Sequence, residues 1–204
     1  MMETQIHIVD DDEAVRDSLA LMLGFRGWRT RVFASAEECL AAWRPDWRGC
    51  LLLDLRLGGM DGLALQRALE ERGSRLPIVF LTGHGDVAQA RQALKGGAVD
   101  FLEKPYTEEA LLEAVNEALA RDARHQARQA RDAEIEARLA RLTERERQVM
   151  DLVVAGKPNR DIAVVLDISP RTVEVFKARM MEKMQARSVP ELVRMVLAGT
   201  EEAD

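Results

Sequence analysis

The sequence predicts an α/β domain built around a parallel sheet, then a helical linker, then a small all-α domain. In the first 120 residues, short apolar runs at 6–9, 51–53, 78–81 and 99–102 alternate with helical patterns. Such runs are typical of strands buried on both faces of a parallel sheet. The helical patterns lie at 13–25, 62–72, 87–94 and 107–120. After residue 142, short helical patterns separated by turn residues predict a helix-turn-helix.

Polar residues stand at the end of every predicted strand. Asp10 and Asp11 follow the first run, Asp54 the second and Thr82 the third, and Lys104 lies just beyond the fourth. Ligands of parallel sheets gather at the carboxyl ends of strands, where these side chains would meet. Neighbouring carboxylates need a cation, and Mg2+ prefers one or two carboxylates with waters and phosphate oxygens. The pattern predicts an acidic, Mg2+-dependent pocket for a phosphoryl group, although each aspartate taken alone is more typical of a helix cap or turn.

These five residues in this order resemble the receiver domain of bacterial two-component response regulators. The segments TGHGD at 82–86 and GAVDFLEKP at 97–105 are similar to the FixJ-type branch of that family. The resemblance implies a flavodoxin/CheY-like, doubly wound parallel sheet of five strands in the order 2-1-3-4-5.

The resemblance also implies a role for each residue of the pocket. Asp54 would be the phospho-acceptor, and Mg2+ would be held by Asp10, Asp11, Asp54 and the backbone carbonyl of Arg56. Thr82 and Lys104 would bind the phosphoryl oxygens, and Phe101 would be a switch side chain that enters the space left when Thr82 moves. Judged by its residue type alone, Phe101 is more typical of a plain core position.

One loop departs from the family. Leu57-Gly58-Gly59-Met60 stands where relatives usually have Met-Pro-Gly-Met. Without the proline the backbone after Asp54 is freer, so metal affinity or phosphoryl lifetime is expected to differ. His84 either tunes that lifetime or is a solvated loop residue.

Composition predicts a cytoplasmic protein. The two cysteines, Cys39 and Cys50, lie among apolar neighbours without CxxC spacing and are expected to be reduced. No apolar run approaches the ~18 residues of a membrane span, and three scattered histidines exclude a histidine metal site.

Residues 1–120 carry a net charge of −7 and residues 143–199 one of +2, so the total of −6 does not argue against nucleic-acid binding.

The segment 121–141 predicts a helical linker, because it is rich in Ala, Arg, Glu and Gln and has no Gly or Pro. Its thin apolar stripe suits a solvated spacer and a dimeric coiled coil equally well.

The region 142–204 predicts four helices. Thr143 and Glu146 form a capping box, and Gly156 ends the first helix. A short helix at 159–166 and a turn lead to Ser169-Pro170, an N-cap and first-turn proline for a helix at 171–184. Apolar residues recur there at helical spacing, at Val173, Phe176, Met180 and Met184, which predicts one buried face.

This region resembles the LuxR/FixJ-type helix-turn-helix domain, through LTERE at 142–146, GKPN at 156–159 and ISPRTVEV at 168–175. Relatives commonly carry histidine where this chain has Phe176. The resemblance implies that Glu174, Val175 and Ala178 approach base edges. It also implies that a largely basic set meets phosphates: Lys157, Asn159, Arg160, Arg171, Thr172, Lys177 and Arg179. On the last predicted helix, Leu192, Val193 and Val196 suit a core or a dimer face equally.

Together the resemblances imply a phosphorylation-dependent transcription regulator with a receiver at 1–120, a linker at 121–141 and a DNA-binding domain at 142–204. Its implied partners are a sensor histidine kinase, an operator in double-stranded DNA, a second copy of the chain and RNA polymerase, with no membrane. A phosphorylation-independent regulator with a vestigial receiver remains an alternative because of the altered loop. An aspartyl-phosphate enzyme needs a second aspartate two residues after the nucleophile, and that position is Arg56. We therefore expect no enzyme and no catalytic residues.

Overall fold

A computed structural model describes residues 4–83 and 87–198. The first part of the chain alternates strands and helices: β1 (Gln5–Val9), α1 (Glu13–Phe25), β2 (Arg29–Phe33), α2 (Ala36–Ala42), β3 (Gly49–Asp54), α3 (Gly62–Glu71), β4 (Ile78–Thr82), α4 (Val87–Lys95), β5 (Asp100–Glu103) and α5 (Glu108–Leu139). Four helices follow, namely α6 (Glu144–Val154), α7 (Asn159–Leu166), α8 (Pro170–Met184) and α9 (Val189–Ala198).

The strands form one parallel sheet in the order β2-β1-β3-β4-β5. Apolar side chains of α1 and α5 cover one face of this sheet, and those of α2, α3 and α4 cover the other. Every residue of β3 and β4 is buried. The predicted fold class, a doubly wound five-stranded sheet followed by a four-helix domain, is confirmed.

The edge strand β2 and the short helix α2 lie between the first two apolar runs of the sequence. In β2, the segment RTRVF carries two arginines, and only Phe33 is buried. An edge strand has one neighbour, so it lacks the continuous apolar signal of a central strand. The resemblance to a known family implied this fifth strand, whereas the hydrophobic pattern alone did not.

Short polar side chains begin the helices that lead away from the sheet. Asp12 accepts a hydrogen bond from Ala14 N at the start of α1, and Asp61 accepts one from Ala64 N at the start of α3. In the second part of the chain, Thr143 and Glu146 make the predicted capping box of α6, and Ser169 caps α8. These bonds satisfy backbone N–H groups that a helix leaves free at its first turn.

Helix α5 runs without interruption for 32 residues. The chain divides into two compact units, residues 1–125 and 126–204, so the division falls within this helix. In the second unit, α6, α7, α8 and α9 enclose a core of their own, to which Leu139 of α5 also contributes. No helix within residues 4–83 and 87–198 is long and apolar enough to cross a membrane.

Gly49, at the start of β3, is expected to be indispensable for the stability of the first unit. Its φ is +109°, and a Cβ atom there would lie 1.8 Å from the carbonyl oxygen of Gln5. We predict that Gly49→Ala lowers the free energy of unfolding by about 3 kcal/mol or more, since backbone strain and overpacking add. Urea unfolding followed by tryptophan fluorescence measures this, because all three tryptophans, at 28, 43 and 47, belong to the first unit.

Gly73→Ala is the matched control. Gly73 also has a positive φ, +76°, but a Cβ atom there would meet nothing within 4 Å. Only the conformational cost of roughly 1–2 kcal/mol remains. Equal losses in the two variants would show that the approach of Gln5 does not restrict position 49.

Candidate functional site

Asp10, Asp54 and Lys104 meet at the carboxyl ends of the strands. The Lys104 ammonium lies 2.7 Å from Asp10 Oδ2 and 2.6 Å from Asp54 Oδ2, and bridges the two carboxylates. Both aspartates are buried, with exposed fractions of 1% for Asp10 and 7% for Asp54. The parallel register places the ends of β1, β3 and β4 side by side, so residues far apart in sequence converge on one cation.

The second oxygen of each carboxylate accepts a backbone N–H. Asp10 Oδ1 accepts from Asp12 N and Asp54 Oδ1 accepts from Arg56 N, both at 2.9 Å. The guanidinium of Arg16 donates to the backbone carbonyl of Asp10 at 2.8 Å. Both carboxylates are thereby held with one oxygen toward the backbone and the other toward Lys104. Sequence reasoning did not include Arg16, because its partner is a backbone oxygen.

Burial and ion pairing shift the pKa values of Lys104 and Asp10 in opposite directions. Burial disfavours the charged form of Lys104, but the hydrogen bonds with Asp10 and Asp54 outweigh it and raise the pKa of Lys104 above its usual value. Lys104 is therefore an ammonium at neutral pH. Burial also raises the pKa of Asp10, and the hydrogen bond from Lys104 opposes that shift.

Thr82 and Phe101 lie on the neighbouring strands. Thr82 ends β4 and is fully buried, and its carbonyl accepts a hydrogen bond from Lys104 N at 2.6 Å. Phe101 pairs with Phe80 across β4 and β5 and packs, half-buried, against the core on the α2, α3 and α4 face. The fold thus puts Thr82 directly beside the backbone of Lys104. Phe101 is in a position that suits both of its alternatives, core residue and switch.

Asp11 and Arg56 are both exposed. Asp11 Oδ2 lies 4.0 Å from the place that a Cβ on Gly58 would occupy, so this carboxylate is near the loop after Asp54. Within residues 4–83 and 87–198, no three His, Cys, Asp or Glu side chains are grouped so that they could hold a metal ion. His84 lies outside the described residues.

The donor chemistry nevertheless fits a hard divalent cation. Two carboxylates already face a common positive charge, and Mg2+ is usually bound by one or two carboxylates with waters and substrate phosphate oxygens. Asp10 and Asp54 therefore supply oxygen ligands of the right type. The assignment of Asp11 and the Arg56 carbonyl to the same ion stays a prediction.

The predicted buried face of the last long helix is present in α8. Val173, Met180 and Met184 have exposed fractions of 0%, and Phe176 packs against the same core. Leu192 of α9 is fully buried in that core, with Val196 against it. The apolar spacing in the sequence therefore indicated correctly which side of α8 faces inward.

The opposite face of α8 carries the residues that were expected to meet DNA. Arg171, Glu174, Val175, Ala178 and Arg179 are exposed, while Thr172 and Lys177 are half-buried. The Thr172 hydroxyl lies 2.7 Å from that of Ser169. On and before α7, the remaining expected contacts are Lys157 and Arg160, which are exposed, and Asn159, which is half-buried.

Two contacts that sequence reasoning missed hold the C-terminal end of α8. Lys183 Nζ lies 2.6 Å from Oε2 of the buried Glu146, which is also the capping-box residue of α6. That ammonium holds the pKa of Glu146 below its usual value. Arg138 of α5 donates to the carbonyl of Met184 at 3.2 Å. The orientation of α8 is thus fixed by α6 and by the last turn of α5.

A doubly wound domain with an acidic pocket at its strand ends, joined to a helix-turn-helix domain, defines the class of DNA-binding two-component response regulators. Residues 6–116 match the response regulator receiver domain, and residues 140–196 match the bacterial regulatory proteins of the luxR family. The chain belongs to the response regulators that combine these two domains. Their members are transcription regulators with a sensor kinase as partner.

Relatives extend over nearly the whole chain. The transcriptional regulatory protein FixJ of Rhizobium meliloti is 49% identical over 200 residues, which cover 98% of each chain. FixJ of Azorhizobium caulinodans is 46% identical, over 98% of this chain and 95% of that one. Among solved structures, the response regulator StyR is 40% identical with a TM-score of 0.85, and the match covers 96% of this chain and 99% of that one. The resemblance inferred from the sequence is confirmed.

Proposed function

We propose that the protein accepts a phosphoryl group on Asp54 from a sensor histidine kinase and then binds its operator as a dimer. The observation that carries this proposal is the Lys104 ammonium held between the buried carboxylates of Asp10 and Asp54. A cation at this point both orients the acceptor and attracts the oxygens of an incoming phosphoryl group.

In this reaction a carboxylate oxygen of Asp54 attacks phosphorus while the bond from phosphorus to the histidine nitrogen of the kinase breaks. The product is an acyl phosphate on Asp54, and the kinase imidazole is released. The backbone N–H of Arg56 holds the other oxygen of Asp54, so the attacking oxygen is the one that faces Lys104. Asp54 is consumed stoichiometrically, which is why we propose a phosphoprotein and not an enzyme.

Asp10, Asp11, Asp54 and the Arg56 carbonyl are the residues that we propose to hold Mg2+. When bound, the ion supplies charge neutralisation for the phosphoryl oxygens. Lys104 would pair with one phosphoryl oxygen after transfer, and the Thr82 hydroxyl with another. Lys104 already pairs with Asp54, and Thr82 ends the neighbouring strand β4, where its carbonyl accepts the backbone N–H of Lys104.

The new phosphoryl group adds roughly −1.5 to −2 charge and three acceptor oxygens. We propose that Thr82 moves toward it, that Phe101 follows, and that the face formed by α4, β5 and α5 then pairs with a second copy. Leu94 of α4 is 49% exposed on the described part of this segment. The dimer would place two copies of α8 on a two-fold operator in the cytoplasm, where RNA polymerase is the further partner.

On the operator, we propose that Glu174, Val175 and Ala178 approach base edges. Their spacing of one and three residues puts them on one exposed face of α8. The surrounding phosphate contacts would come from residues just before and at the start of α7 and on the first part of α8, namely Lys157, Asn159, Arg160, Arg171, Thr172, Lys177 and Arg179.

Phosphorylation is expected to convert the full-length protein from monomer to dimer. A small acyl-phosphate donor with Mg2+ supplies the phosphoryl group, and light scattering should show a doubled mass. The physical reason is that the receiver can pair only in the state that the phosphoryl group stabilises.

Asp54→Asn, treated in the same way, is the control and should stay monomeric. Phosphorylated wild-type protein of unchanged mass would refute the dimer. A wild-type dimer before any treatment would instead support a regulator whose receiver pairs without phosphorylation.

A further inference from the structure

The loop from β3 to α3 begins at Asp54 and contains two consecutive glycines. Gly58 and Gly59 give this loop more conformational freedom than any other pair of residues would. Gly59 has φ +101°, a backbone conformation that side chains with a Cβ rarely adopt. A loop of this composition does not hold one shape unless other groups restrain it.

Both ends of the loop are fixed near Asp54. At the start, Arg56 N donates to Asp54 Oδ1 at 2.9 Å, and at the end, Gly62 N donates to the carbonyl of Leu55 at 3.0 Å. A Cβ on Gly62 would lie only 2.5 Å from the carbonyl of Asp54, so the loop returns very close to its origin. The middle of the loop, at the two glycines, needs a restraint from elsewhere.

Glu37, in the first turn of α2, supplies that restraint. Its Oε1 accepts a hydrogen bond from Met60 N at 2.8 Å. The same oxygen lies 2.8 Å from where a Cβ on Gly59 would be, so the carboxylate sits directly against the glycine backbone. Glu37 is 23 residues from Met60 in sequence. It is held in place by α2, whose N-cap is Ser35.

We propose that Glu37 is a positioning residue for phosphoryl transfer to Asp54. By accepting the Met60 N–H, it fixes the loop that carries the Arg56 carbonyl, and thereby the geometry in which Mg2+ and the phosphoryl group are received. This inference rests on the proposed function of Asp54. The inference adds a residue of α2 that lies outside the pocket. Loss of Glu37 would lower the Mg2+ affinity of the pocket, because the loop would no longer be held in place.

The structure offers an independent way to restrain the same loop. Gly58 has no positive φ, and a Cβ there would meet only Asp11 Oδ2, at 4.0 Å. The structure leaves room for a proline Cβ at position 58, and proline there would remove backbone freedom. Gly58→Pro should therefore compensate for the loss of Glu37.

The test uses full-length protein and compares wild type with Glu37→Ala, Glu37→Gln and Glu38→Ala. In Glu37→Ala, the Met60 amide should exchange about tenfold faster, as expected for a lost hydrogen bond. Mg2+ affinity, measured by calorimetry, should fall about tenfold, at the lower end of the effect of outer-shell partners. Glu37→Gln keeps an acceptor oxygen and should stay within about threefold of wild type. Glu38→Ala removes an equal charge from the same turn of α2, but its carboxylate bonds Ala34 N, so Mg2+ affinity should not change.

Glu37→Ala combined with Gly58→Pro should recover Mg2+ affinity and the rate of labelling by an acyl-phosphate donor. Wild-type affinity and labelling in Glu37→Ala would overturn this inference and leave the proposed function intact. A loss that is as large in Glu37→Gln and that the proline does not repair would overturn it too, because the effect would not arise from the loop. Wild-type protein that takes no label with Mg2+ would overturn the proposed function, and this inference with it.

Discussion

Asp54→Asn is expected to abolish phosphoryl labelling of the full-length protein by a small acyl-phosphate donor. An amide oxygen is a far weaker nucleophile than a carboxylate oxygen and cannot form the acyl phosphate. The wild-type chain should take one phosphoryl group per molecule, and only with Mg2+ present. Intact mass before and after treatment, with and without a chelator, measures both requirements.

The protein should keep its fold in Asp54→Asn. The loss of labelling would therefore reflect the missing carboxylate and not unfolding. Lys104 keeps its ion pair with Asp10, and the asparagine Oδ1 can still accept the N–H of Arg56. Circular dichroism should therefore show the same helix content in both proteins. The half-buried ammonium of Lys104 loses one of its two carboxylate partners, so a modest loss of stability is expected.

Asp46→Asn is the matched control, since Asp46 is an exposed aspartate of the same unit that lies outside the strand ends. It should be labelled like the wild type. Full labelling of Asp54→Asn would refute the assignment of Asp54 as the acceptor. If the chelator does not change labelling of the wild type, the Mg2+ requirement is refuted and the assignment of Asp54 stands.

The sequence predicted that the polar side chains of the pocket would meet, because the sheet fixes where the strand ends lie. Asp10, Asp54 and Lys104 each follow an apolar run, and parallel strands bring such ends together whatever the distance along the chain. It could not predict that Lys104 would bridge both carboxylates, since that depends on a side-chain conformation. Nor did it separate Asp10, which is buried and paired, from its exposed neighbour Asp11.

The hydrogen bonds that hold the loop after Asp54 and the end of α8 were harder to predict from the sequence. In these bonds one partner is often a backbone group. Glu37 contacts the N–H of Met60, and Arg138 contacts the carbonyl of Met184. Any residue offers those backbone atoms, so no residue type marks the partner in the sequence. The pairing of Lys183 with Glu146 does join two charged side chains, yet they are 37 residues apart on different helices. Periodicity reveals faces within one helix, and says nothing about which helices meet.

Substitutions on α8 should separate affinity from specificity in DNA binding. Lys177→Ala is expected to weaken binding to all duplexes alike and to reduce the slope of log affinity against log salt by about one per bound subunit, because one phosphate contact is lost. Val175 is 45% exposed, and we propose that it contacts base edges. Val175→Ala should lower discrimination at one base position per half-site by about 1 kcal/mol, as expected for the loss of two methyl groups from an apolar contact, with an unchanged salt slope. Phosphorylated full-length protein is titrated against a duplex selected from a random pool and against a scrambled duplex.

Arg194→Ala serves as the control for charge, since Arg194 is an exposed cation on α9 and not on α8. Arg194→Ala removes the same charge as Lys177→Ala. If the phosphate contact of Lys177 sets the salt slope, and not the net charge, Arg194→Ala should leave the slope unchanged. A loss in Lys177→Ala that affects only the selected duplex would assign Lys177 to base readout. Unchanged preference in Val175→Ala would show that Val175 does not contact a base edge. A side chain that contacts a base edge cannot be shortened without altering the difference between that base and its competitors.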